Sequence, residues 1–88
     1  FDGESVFAMH IAPNPASTQV KISIEEAQDM SGVVQMINEL GVVVMESEIQ
    51  LAFSNTIEFN IEDVPAGCYM IRYQGANESQ IKQLIVVK

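Results

Sequence analysis

Gln19-Val20-Lys21-Ile22-Ser23-Ile24-Glu25 alternates polar and apolar side chains over seven residues. A strand sends successive side chains to opposite faces, so the phrase describes a strand with one face toward a core and the other toward water. Ile57, Phe59 and Ile61 repeat the period of two. Working outward, apolar runs at Val6 to Ile11, Gln19 to Glu25, Val33 to Asn38, Val42 to Ile49, Thr56 to Ile61, Cys68 to Tyr73 and Gln80 to Val87 predict seven strands.

Turn formers separate these runs at short intervals: Pro13 to Ser17, Asp29 to Gly32, Asn38 to Gly41, Ser54-Asn55, Asp63 to Gly67 and Gly75 to Glu78. Short strands with regular turns are an all-β pattern, and strands with one apolar face must bury it against a second sheet. The expected fold is an immunoglobulin-like antiparallel β-sandwich of about seven strands. Val33 to Ile37 and Val42 to Met45 flank Asn38-Glu39-Leu40-Gly41, which reads as a hairpin turn in which Gly41 takes a positive φ. The competing local reading is a short helix over Ile24 to Met30, where Glu, Ala, Gln and Met favour helix.

Eighty-eight residues hold one domain, and 48% hydrophobic content suffices for a core. Twelve acidic and four basic residues give a net charge of -8, which argues against nucleic acid and anionic lipid as partners. The acids are scattered as on a solvated face, Glu62-Asp63 reading as an acidic turn. No run of the sequence is apolar for long enough to cross a bilayer as a helix.

Cys68 is the single cysteine, which excludes an internal disulfide; its place in an apolar strand suggests a small buried hydrophobe. His10, the single histidine, reads as a strand residue near a sheet edge and not as a catalytic base. No residue pattern points to a metal, a cofactor or a nucleophile with its base, so neither catalysis nor a cofactor is expected. Tyr69 and Tyr73 share one strand face and read as core instead of a sugar-binding platform.

Three phrases carry more than the composition. Pro13-Asn14-Pro15 removes two backbone donors, ending the first strand and sending the chain across to the other sheet. Val64-Pro65-Ala66-Gly67-Cys68-Tyr69 makes a turn before a strand, and the Tyr69 hydroxyl is placed to reach back to the turn backbone as in a tyrosine corner. Lys82-Gln83-Leu84-Ile85-Val86-Val87-Lys88 is an apolar strand between lysines, readable as an address.

Ala12-Pro13-Asn14-Pro15, Leu40-Gly41-Val42-Val43-Val44, Val64 to Tyr69 and Lys82 to Lys88, in this order over nearly the whole chain, resemble the type A C-terminal sorting domain of the type IX secretion system. Two positions depart from the family pattern: Ala12 replaces an aromatic, and Cys68 stands where a β-branched residue is common. The resemblance implies an immunoglobulin-like domain that crosses the periplasm and is recognised by an outer-membrane translocon with a barrel shuttle protein. A sortase-like cysteine peptidase then usually removes it and joins the parent protein to anionic lipopolysaccharide at the cell surface. Pro13, Asn14, Pro15, Gly41, Pro65, Ala66, Gly67 and Tyr69 are the family motif positions, and Lys82, Leu84, Ile85, Val86, Val87 and Lys88 the expected signal.

On this reading residues 1–5 are the end of a linker to an upstream cargo domain and residues 6–88 are the sorting domain. A receptor is expected to read the last strand by edge pairing, with pockets for Leu84 and Val86. An open edge would also permit dimerisation. The alternative is a generic immunoglobulin-like accessory or binding module of a secreted protein, which fusion to a reporter distinguishes because only a sorting domain carries cargo out.

Overall fold

All seven expected runs form strands, as the alternation of side chains requires. The computed structural model describes residues 8–25, 30–51 and 53–88. The strands are β1 (Ala8–Ala12), β2 (Gln19–Glu25), β3 (Ser31–Ile37), β4 (Val43–Gln50), β5 (Thr56–Asn60), β6 (Gly67–Gly75) and β7 (Ser79–Val86). The expected start of the first strand at Val6 lies outside the described residues. The helical alternative falls mostly outside them too, while Ile24 and Glu25 belong to β2.

Two antiparallel sheets result, ordered β1-β2-β5 and β4-β3-β6-β7. The registers place Val20 opposite Phe59 and Ile22 opposite Ile57 in the first sheet. In the second, Met36 faces Ile71, Val34 faces Tyr73 and Tyr69 faces Leu84. One core holds these side chains, with Met9, Ile24, Ile49, Ile61 and Val86 also buried. Apolar area leaving water drives the closure, at roughly 25 cal/mol per Å².

Tyr69 and Tyr73 are both core residues. Gly32 makes room for the second of them: a Cβ there would lie 2.8 Å from the Tyr73 Cζ and Oη. Cys68 corrects the sequence expectation. Tyr69 takes the inward position, so strand alternation turns Cys68 to the outer face beside Ile85, where the free thiol is exposed.

The β3-β4 hairpin closes as expected. Gly41 has φ 84°, its N–H donates to the Asn38 carbonyl at 2.9 Å, and the Asn38 Oδ1 accepts from Leu40 and Val42 N–H at 2.9 and 3.0 Å. The Asn38 side chain thus holds the turn that Gly41's left-handed backbone permits. Just inside it, the register shifts between Met36 and Ile37. Ile37 pairs with Val43 and Met36 with Met45, leaving Val44 as the extra residue of a bulge.

Candidate recognition surface

β7 is an edge strand whose two faces differ. Leu84 and Val86 pair opposite Tyr69 and Gly67 and are buried, 0% and 2% exposed. They are core side chains, which corrects the expectation that a receptor could take them into surface pockets while the domain stays folded. Ile85 is half-buried, and Val87, Lys88, Gln83 and Ile81 are exposed. Lys82 takes the inward register position opposite Ile71 and is nonetheless exposed. A charge there is a device by which edge strands resist pairing with other chains.

The outer edge of β7 is filled by the Pro-Asn-Pro segment. Both Ala12-Pro13 and Asn14-Pro15 are cis, and the chain passes from β1 in one sheet to the edge of the other, the crossing that the two prolines predict. There the Asn14 Nδ2 donates to the Gln83 carbonyl at 2.9 Å and its Oδ1 accepts from the Ile85 N–H at 3.0 Å. Ala16 continues with backbone bonds: its N–H donates to the Ile85 carbonyl and its carbonyl accepts from the Val87 N–H, both at 2.8 Å. It forms a parallel bridge with Val86 and is itself buried. Four successive edge groups of β7 are thereby satisfied, two by a side chain that imitates a strand.

Lys88 extends this seam. Its Nζ donates to the Ser17 and Ile61 carbonyls at 2.7 Å each and to the Glu62 carbonyl at 3.2 Å, tying the end of β7 to loops of the other sheet. Gln80 does the same further along, its Oε1 accepting from the Met9 N–H of β1 at 2.7 Å. Neither role leaves a local mark in the sequence, because both depend on which loops the fold sets beside β7.

The second motif is a tyrosine corner. Val64 closes a turn by donating its N–H to the Ile61 carbonyl at 3.0 Å, and the Tyr69 hydroxyl donates to the Pro65 carbonyl at 2.7 Å. Pro65 and Ala66 are exposed, and Gly67 begins β6 with φ 156°, a positive value that side-chain-bearing residues rarely adopt. Pro65, Gly67 and Tyr69 are therefore a folding device at one end of β6, and Gly41 closes the hairpin on β3.

On the outer face of β3, β4, β6 and β7, the apolar side chains of Ile37, Val43, Met70 and Ile81 flank a polar centre. There Gln35 accepts from Arg72 and donates to Glu46 Oε2 at 2.6 Å. His10 lies on edge strand β1, exposed, 3.6 Å from Glu25. Among the described residues, no group of three or more His, Cys, Asp or Glu is placed to hold a metal ion. No helix among them is long and apolar enough to cross a membrane.

The family described as the secretion system C-terminal sorting domain matches residues 10–87. That interval contains every motif described above except the last lysine. The chain belongs to this family, and it is a sorting-signal domain of the type IX secretion system. Membership entails engagement with the secretion machinery and export to the cell surface or the medium; the family is a signal and not a catalytic one.

Among solved structures, the chain is similar to dimeric latent PorU from Porphyromonas gingivalis, with TM-score 0.67 and 18% identity. The match covers 99% of this chain and 10% of that one, so the chain spans about a tenth of the PorU molecule. At this identity the likeness concerns the fold, and it agrees with a sandwich. No curated protein matches the sequence.

Proposed function

We propose that this domain carries a parent protein through the periplasm to the outer-membrane translocon, where the translocon and a barrel shuttle protein receive it and a sortase-like cysteine peptidase releases the cargo. The observation that carries this reading is the family match over residues 10–87. In the same reading residues 1–5 end a linker to an upstream cargo domain, and residues 6–88 act as the signal. Within that signal, Lys82 and Ile85 of β7 and Val87 and Lys88 just beyond it are the residues that a receptor meets on the folded domain, while Leu84 and Val86 act by holding β7 in place. The motif residues Pro13, Asn14, Pro15, Gly41, Pro65, Ala66, Gly67 and Tyr69 act by building the surface that is read.

The test fuses residues 1–88 behind a periplasmically exported fluorescent protein in a host that has this secretion system. Deleting 82–88 would strip Leu84 and Val86 from the core and confound signal with fold. Variants Lys82→Glu and Val87→Asp change exposed side chains only, with circular dichroism as the check on folding. Surface delivery by the parent fusion, reduced in these variants, supports the assignment. Cargo that stays in the periplasm behind a folded domain, while the host exports its own substrates, refutes it and favours the accessory-module reading.

A further inference from the structure

The Asn14 carboxamide occupies β7 as a neighbouring strand would. A peptide unit presents one N–H and one carbonyl to the next strand, and Asn14 presents Nδ2 and Oδ1 to Gln83 and Ile85 in the same sense. Ala16 then supplies a true backbone pair in parallel orientation. The segment is short, it lacks the N–H groups of Pro13 and Pro15, and Pro13 to Pro15 are exposed. An occupant attached by four hydrogen bonds, two of them to one exposed side chain, is held far more loosely than a ladder strand such as β6, which pairs with β7 over eight residue positions.

We propose that residues 14–16 are an internal, displaceable occupant of the β7 edge, and that the site beneath them accepts an extended segment of a partner protein by strand addition. The incoming segment would run parallel to β7, as Ala16 does. It would place a small apolar residue where Ala16 is buried, 1% exposed. It would also satisfy the Gln83 and Ile85 groups that Asn14 now holds. A second copy of this chain fits the site poorly for two reasons. It would bring a charge of -8 against -8. A twofold pairing of β7 with itself would also be antiparallel, the opposite sense to the bridge that Ala16 makes.

This inference stands apart from the sorting assignment and is tested on the isolated 88-residue chain, whose single core closes within residues 8–88. The probe is a fluorescein-labelled heptapeptide of alternating threonine and valine with a central alanine. Its binding to wild type and to Asn14→Ala is followed by fluorescence anisotropy, with hydrogen exchange at the Ile85 amide as the local readout. Removing two hydrogen bonds from the internal occupant should tighten peptide binding about ten-fold and speed Ile85 exchange by a similar factor. Exchange in the β2-β5 pairs should not change.

Should Asn14→Ala fail to fold, Asn14→Asp keeps the acceptor for Ile85 and sets a carboxylate against the Gln83 carbonyl, so it should still loosen the occupant and tighten the peptide. Equal peptide affinity in wild type and variant, or Ile85 exchange unchanged, overturns the displaceable occupant. Dimerisation of Asn14→Ala without peptide, seen by light scattering beside a monomeric wild type, assigns the edge to a second copy and overturns the choice of partner.

Discussion

Replacing Tyr69 by Phe isolates one bond of the tyrosine corner. The ring stays in the core, where Tyr69 is 7% exposed, and only the hydroxyl that donates to the Pro65 carbonyl at 2.7 Å is lost. A hydrogen bond of this kind contributes about 0.5–1.5 kcal/mol net, and an acceptor left buried without a partner costs up to about 3. Pro65 is exposed, so water replaces the hydroxyl at its carbonyl and the cost falls near the middle of the first range, about 1 kcal/mol. In a domain of this length that is a drop in Tm of about 4–8 °C. In urea, with a slope of about 1 kcal/mol per molar for so small a protein, the midpoint should move by about 1 M with the slope unchanged.

Unfolding of wild type and Tyr69→Phe, followed by circular dichroism in urea and by heating, measures both. Tyr69→Ala sets the scale, because it also removes the packed ring and should cost about 3–5 kcal/mol. A Tyr69→Phe loss below about 0.3 kcal/mol with an unchanged urea slope would refute the reasoning. It would mean that turn residues 62–66 hold their shape without the corner and that Tyr69 matters only as bulk.

Leu84→Ala should cost about 2–5 kcal/mol while Val87→Ala stays within about 0.5, since the first is fully buried and the second exposed; urea titration of both separates core from surface on β7. Gly32→Ala should destabilise by about 1–3 kcal/mol, because the new methyl meets the Tyr73 ring, and Gly32→Ala with Tyr73→Leu should recover part of that loss in the same titration. Gly41→Ala meets no atom within 4 Å, so its cost of about 1–2 kcal/mol comes from the left-handed backbone alone, and Gly41→Asn should cost less. The Cys68 thiol should react fully with a water-soluble disulfide reagent in the native protein without change in circular dichroism; a thiol that reacts only after unfolding would contradict its outward placement.

The sheet content was legible because burial on one face leaves a period of two in the sequence, and Val20, Ile22 and Ile24 carry it without interruption. The Gly41 turn and the Tyr69 corner were legible for a related reason: each is closed by residues within about five positions of one another, so the chemistry lies in one phrase. Cys68 was misread because a continuous apolar run, Cys68 to Ile71, hides which register faces inward until a partner strand assigns it. The two sheets, by contrast, meet through pairs such as Asn14 with Ile85 and Lys88 with Ser17, each separated by 71 residues, and no local pattern encodes such a pair.

That division bears on what a sorting signal of this family can be. A signal consisting only of the linear phrase Lys82 to Lys88 would display its side chains in any context, yet Leu84 and Val86 are spent on the core, and the Gln83, Ile85 and Val87 backbone is spent on Asn14 and Ala16. What remains outward, with the exposed Lys82 and Lys88, is a set of side chains whose spacing exists only when the sandwich is closed: Ile81, Gln83 and Ile85 from β7 and Val87 just beyond it, with Cys68 and Met70 beside them from β6. On the proposed reading, recognition of the folded domain depends on residues far from β7. Tyr69→Phe, which leaves β7 untouched, should lower the temperature at which a fusion is delivered by about the same interval as it lowers the Tm. Delivery that persists above the melting point of such a variant would show that the machinery reads β7 as an extended peptide, and the folded surface would then have no part in the signal.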